Sequence, residues 1–217
     1  SEMLVKRMPI ASAEDINLNE IFFFTQEELD RYFDLHEDVL TLDDGNSLLD
    51  LSSEELNESL SDPSSEAVKL IAREIFSAKI IEKDFLEATE SIFEEYSEDP
   101  SQLKNVLRRL EKDHEKEFYR IESVRNWLNK NVVSEEAKST LKDIFRSSRH
   151  ITSTEDVDSW INDYSRGERV NDKGQFIDGY SDYEDDDDNI DLDKEINGRN
   201  SRDVSGIADF FDDEEDY

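Results

Sequence analysis

From Leu103 to Leu128 apolar residues step by three or four without a break: Leu103, Leu107, Leu110, Phe118, Ile121, Val124 and Leu128. His114 holds the one polar position on this stripe. A period near 3.6 puts them all on one face of a single long helix, roughly 101–130. A helix of that length with one apolar face needs other helices to cover it. The chain is therefore expected to build a helical bundle around this element.

The flanking sequence supplies the other members. Asp62-Pro63 reads as an N-cap followed by proline at the first helical position, and Val68, Ile71, Ile75 and Phe76 then recur at helical spacing. A second helix is expected from about Asp84, with Phe85, Ala88, Ile92, Phe93 and Tyr96 on one face. Asp99-Pro100 ends it and starts the long helix. Beyond Val132 and Val133, Ser134 is a plausible N-cap for a fourth helix with Ala137, Leu141, Ile144 and Phe145 on one side. A fifth, from Thr154, carries Val157, Trp160, Ile161 and Tyr164. These signals predict a bundle over 63–164.

Residues 1–62 read as an acidic arm with short helices. Thr25-x-x-Glu28 and Ser52-x-x-Glu55 are capping boxes, the first before Leu29, Tyr32 and Phe33, the second before Leu56 and Leu60. After Ser165 the helical period stops, and five of the six glycines follow. Residues 165–217 are predicted to be a disordered acidic-aromatic tail, because so acidic a segment cannot bury enough apolar surface to offset its ordering entropy. The expected fold class is all-α: a helical bundle with one long central helix, an acidic partly helical N-terminal arm and a disordered acidic C-terminal tail.

Charge is distributed to match. The chain has 217 residues, 58 acidic and 25 basic, for a formal charge of −33. Residues 1–62 carry −14 and residues 164–217 carry −13, while 63–163 carries only −6. Phosphate-rich ligands need cationic partners, so direct binding to nucleic acid or anionic lipid is not expected. A basic protein surface is the expected partner. The absence of cysteine excludes disulfides, thiolate metal sites and a cysteine nucleophile. No apolar run is long enough for a membrane span, and Ser1–Ala13 lacks the pattern of a secretory signal. An intracellular setting is expected, cytoplasmic or nuclear, or within an infected host cell if the chain is viral.

No catalytic motif is present: neither a phosphate-cradling glycine loop nor a Gly-x-Ser-x-Gly nucleophile elbow occurs. No enzyme activity, cofactor or metal is expected. His36, His114 and His150 are far apart in sequence, and His114 is expected to be packed and hydrogen-bonded. The acidic run Asp182–Asp188 lacks the glycine and the bidentate glutamate of a helix-loop-helix calcium site.

Two surfaces remain as binding candidates. In the tail, Tyr180, Tyr183, Ile207, Phe210, Phe211 and Tyr217 are interleaved with acids, among them Asp212 and Asp213. Acids steer toward a basic surface while aromatic rings anchor. This composition resembles the acidic-aromatic segments of histone chaperones and transcriptional activation domains, and short C-terminal peptides that dock on a sliding clamp. On the long helix, Lys104, Arg108, Lys112, Lys116 and Arg120 recur every fourth residue and form a slowly winding basic ridge. It reads either as a salt-bridged solvent face or as a docking strip for an acidic segment. Leu48-Leu49-Asp50-Leu51-Ser52 resembles a clathrin-box peptide. Ser47, Ser52, Ser59 and Ser181 each have an acid three residues on, which suits an acidophilic kinase.

The expected function is a non-enzymatic acidic adaptor that binds a basic protein surface, in a nucleic-acid transaction complex. The alternatives are a viral or phage assembly protein that self-associates through its helices, and a DNA mimic.

Overall fold

The structure, a computed structural model, describes residues 18–36 and 38–177. Within them the fold is an all-α bundle. The helices are α1 (Leu18–Ile21), α2 (Gln26–Leu35), α3 (Ser53–Leu60), α4 (Glu66–Tyr96), α5 (Pro100–Asn131), α6 (Glu135–Ser147) and α7 (Thr154–Ser165), with a 3₁₀ turn at Leu48–Asp50. Among the described residues the β pairing consists of two isolated bridges, Thr41 with Ser47 and Val170 with Phe176. No described helix is long and apolar enough to cross a membrane.

Helix starts follow local chemistry. Thr25 and Ser52 close reciprocal capping boxes with Glu28 and Glu55. Asp99 caps α5, with Pro100 at the first helical position, and Ser134 caps α6. The start of α4 differs from expectation. Ser65, not Asp62, is its N-cap, while the Asp62 carboxylate accepts from the backbone N and hydroxyl of Ser64 in the preceding turn. The two helices expected before Asp99 are also one. The stretch Ser77–Lys83 contains no glycine or proline, and Ala78 within it is buried. Helix propagation therefore meets no breaker across it.

α4 and α5 form an antiparallel pair joined by Ser97–Asp99. The main core lies at one end of this pair. Ile71, Phe76, Val124 and Leu128 meet Leu141 and Ile144 of α6 and Trp160 and Tyr164 of α7 there. Every apolar residue expected on α6 and α7 is buried.

Packing extends beyond 63–164 at both ends. Tyr32, Leu40, Leu48, Leu56 and Leu60 belong to the main core. The leucines that resemble a clathrin-box peptide are thus occupied, with Leu48 fully buried and Leu49 and Leu51 packed against the core. At the other end, residues 165–177 are folded. A hairpin seats Val170 and Phe176 against the core, with the Phe176 ring 5.9 Å from that of Trp160.

This hairpin and the one at 41–47 have the same backbone design. Leu42 and Asn46, and likewise Asn171 and Gln175, pair across a turn closed by Gly45 N to Leu42 O and Gly174 N to Asn171 O. Both glycines have left-handed φ, +84° and +79°, as the bulge of a three-residue hairpin loop requires. Their surroundings differ. A Cβ on Gly45 would meet nothing within 4 Å, whereas one on Gly174 would lie 2.2 Å from the Arg146 carbonyl oxygen. Gly45→Ala should cost only the left-handed backbone term, about 1–2 kcal/mol. Gly174→Ala should cost clearly more and release the 167–177 hairpin from α6. Thermal unfolding of the two variants, with hydrogen exchange at the Ile177 amide, checks this. Equal costs would contradict the close approach.

Candidate partner-binding surfaces

The outer face of α5 is built in two halves. Over its C-terminal half the segment running from α1 through α2 covers it at Tyr119, Asn126 and Lys130 and reaches round to Phe118 on the apolar stripe. Phe22 stacks on Phe118 at a ring separation of 4.0 Å and meets Phe85 edge-on at 5.3 Å. Phe24 lies 4.9 Å from Tyr119, and Tyr32 meets Tyr119 edge-on at 5.2 Å. The Tyr119 hydroxyl donates to the Glu28 carbonyl. Lys130 Nζ donates to Asp30 at 2.6 Å, and Gln26 donates to Asn126. The hydrogen bond from Lys130 holds the Asp30 carboxyl below its ordinary range. An acidic segment thus lies on α5 with its rings as anchors and an acid reaching a lysine.

Over the N-terminal half the same outer face carries the basic ridge. Lys104, Arg108, Lys112, Lys116 and Arg120 are all exposed. Arg120 is engaged, reaching Glu74 of α4 at 2.5 Å. Burial raises the Glu74 carboxyl against the pull of that arginine. Among the described residues, Lys104, Arg108, Lys112 and Lys116 make no ion pair. The neighbouring outer edge of α4 has the opposite sign: Asp84, Glu87, Glu90, Glu94 and Glu95 are exposed, as is Glu98 in the turn that follows, with Lys83 paired to Glu87. The distal α4–α5 hairpin therefore presents one acidic edge and one basic edge.

Between these helices lies a charged cluster that sequence reasoning missed. Arg125 donates to Glu82 at 2.8 Å and to Glu122 at 2.9 Å, and Lys79 reaches Glu82 at 3.2 Å. The Arg125, Glu82 and Glu122 side chains are 12%, 8% and 9% exposed. Burial works against the arginine's charge, but the two carboxylates outweigh it and push its pKa above the ordinary value. The available signal was a charge at an apolar register. Glu82 falls four residues after Ala78 and three before Phe85, and Arg125 four after Ile121 and three before Leu128.

Asn57 is a second missed residue. Its Oδ1 accepts from the backbone N of Val133 and Ser134, both at 2.9 Å, and its Nδ2 donates to the Asn131 carbonyl at 2.8 Å. One side chain of α3 thereby fixes the turn from α5 into α6. Near α7, burial raises the Tyr164 hydroxyl's pKa, with Asp143 beside it adding to the shift; the hydroxyl donates to Asp143 at 3.0 Å.

His114 and His36 pack against rings, while His150 is exposed and contacts a backbone carbonyl. His114 Nδ1 lies 3.0 Å from the Leu110 carbonyl with its ring against Phe85, His36 lies against Tyr32, and His150 Nε2 contacts the Lys173 carbonyl. Ser47 and Ser52 serve as caps. Among the described residues no group of acids and histidines could hold a metal ion. An open cleft of about 560 Å³ lies between α3 and the start of α6, lined by Ser53, Asn57, Glu58 and Glu136 among others. Its lining is mostly serine and glutamate, with no basic side chain.

The tail candidates Tyr180, Tyr183, Ile207, Phe210, Phe211, Asp212, Asp213 and Tyr217, with the run Asp182–Asp188, lie outside the described residues. No family model, curated protein or solved structure matches this chain.

Proposed function

We propose that this chain is a non-enzymatic acidic adaptor that binds a basic protein surface through acidic-aromatic segments, within a complex that handles nucleic acid. The observation that carries this reading is the docked segment at 21–35. There the chain already uses acids flanking aromatic rings to hold a helix that presents lysine, through Phe22, Phe24, Tyr32 and Asp30. The same residue chemistry recurs at Ile207–Tyr217, where Phe210 and Phe211 stand among six acids. In this reading the rings anchor and the acids steer.

The test is affinity capture with the full chain and with a chain ending at Ile177. The captured proteins should share a basic surface and should be lost on truncation. Equal recovery by the truncated chain would refute the role given to the tail. Self-association is the second reading, favoured by Phe23 and Leu35, which are 59% and 73% exposed on the docked segment. Sedimentation of the purified chain tests the second reading, which requires more than one copy.

A further inference from the structure

The residues that lead into α2 have a second copy at the end of the sequence. Phe23-Phe24-Thr25-Gln26-Glu27-Glu28 and Phe210-Phe211-Asp212-Asp213-Glu214-Glu215 share two adjacent phenylalanines, a two-residue gap and two adjacent glutamates. An aspartate and a tyrosine follow within four residues in both, as Asp30 and Tyr32 and as Asp216 and Tyr217. In the first copy Thr25 caps the helix and Glu28 closes the box. Asp212 and Glu215 stand at those two positions, and aspartate is as good an N-cap as threonine.

The first copy lies on α5 from Tyr119 to Lys130 through Phe24, Tyr32 and Asp30, with Phe23, the counterpart of Phe210, 59% exposed. Immediately beyond it the outer face of α5 is uncovered among the described residues and cationic, with Lys104, Arg108, Lys112 and Lys116 exposed. We propose that the terminal segment 207–217 docks on this basic half of α5, beside the first copy, as a second acidic-aromatic element on the same helix. Three observations support it. The surface continues a face that already receives such a segment. The charges are complementary, since residues 178–217 hold 17 acids and three bases. The reach is ample, because the 30 residues from Asp178 to Ile207 can span up to about 100 Å, while α5 is about 48 Å long at 1.5 Å per residue. The acidic outer edge of α4 repels the same segment and directs it to the α5 side.

Single exposed ion pairs contribute little. Docking here depends on several acting together at the high effective concentration that tethering provides. The consequence rests on the proposed function: the segment offered to a basic partner is then also the one held on α5, so the partner must compete for it.

The chain has no cysteine, so Ser205→Cys in the full-length protein takes a nitroxide at one site. Amide intensities are then read by NMR on the isolated protein, without any partner. Amides of 104–116 should be broadened at low salt. They should recover near 1 M salt, where the screening length is about 3 Å, and in the exposed-face variant Lys104→Gln, Arg108→Gln, Lys112→Gln, Lys116→Gln. No broadening on α5 overturns the proposal, as does broadening that persists in the glutamine variant. Broadening confined to 118–130 of α5 marks displacement of the first copy and overturns side-by-side docking. Broadening seen only when the nitroxide and the isotope are on separate chains assigns the contact to a second copy and overturns docking within one chain. Because no partner is present, none of these outcomes depends on the capture result.

Discussion

Replacing Arg125 by Met should destabilise the fold by about 3–5 kcal/mol. Arg125 lies between two buried carboxylates, Glu82 of α4 and Glu122 of its own helix. Removing it withdraws the buried cation that both face, while Lys79, 40% exposed, still reaches Glu82. The substitution keeps an unbranched side chain, so lost packing is a small part of the effect. Changing the three together, Glu82→Leu, Glu122→Leu and Arg125→Met, should recover most of the loss, because apolar residues of similar volume often match a buried ion network. Urea unfolding of the single and triple variants measures this. A single-variant loss below about 1 kcal/mol, the scale of exposed pairs, would mean the cluster is solvated.

Leu48→Ala should cost about 2–5 kcal/mol, the range for emptying a fully buried leucine site. Leu48 is 0% exposed in the core that also holds Phe76, Leu128 and Trp160. The loss should appear in one cooperative transition shared with α4–α7. If residues before Asp62 were an arm apart from the bundle, the main transition would stay in place. An unchanged melting curve would therefore contradict a core shared across residue 62.

The helices were readable because their signals are local. The α5 stripe, the Ser134 cap and the faces of α6 and α7 need only periodicity and one capping residue. The merger of two expected helices into α4 was hidden by a weak apolar pattern at Ser77–Lys83, where the partners are supplied by tertiary packing. Leu48, Leu56 and Leu60 could be placed on short capped elements. Which core they enter depends on contacts some 20 to 100 residues away in sequence, and no local spacing encodes these. The hairpin at 167–177 was masked by glycine and charge, although Val170-Asn171-Asp172-Lys173-Gly174 carries a turn signal between apolar residues. Of the candidate surfaces, the basic ridge followed from four-residue spacing alone. Whether the acidic arm docks on the bundle is left open by its sequence, since only the fold brings Phe22 to Phe118 and Asp30 to Lys130.

The adaptor reading turns on whether rings or charges hold the partner. Burying each phenylalanine contributes roughly 1.5–3 kcal/mol, whereas an exposed acid contributes below about 1. The most direct test is the binding kinetics of the captured partner with three full-length chains: the parent, Phe210→Ala/Phe211→Ala and Asp212→Asn/Asp213→Asn. The account predicts that the phenylalanine pair mainly speeds dissociation and weakens affinity by far the larger factor. The aspartate pair should slow association and flatten its salt dependence. A double-phenylalanine variant that binds as tightly as the parent would contradict the account.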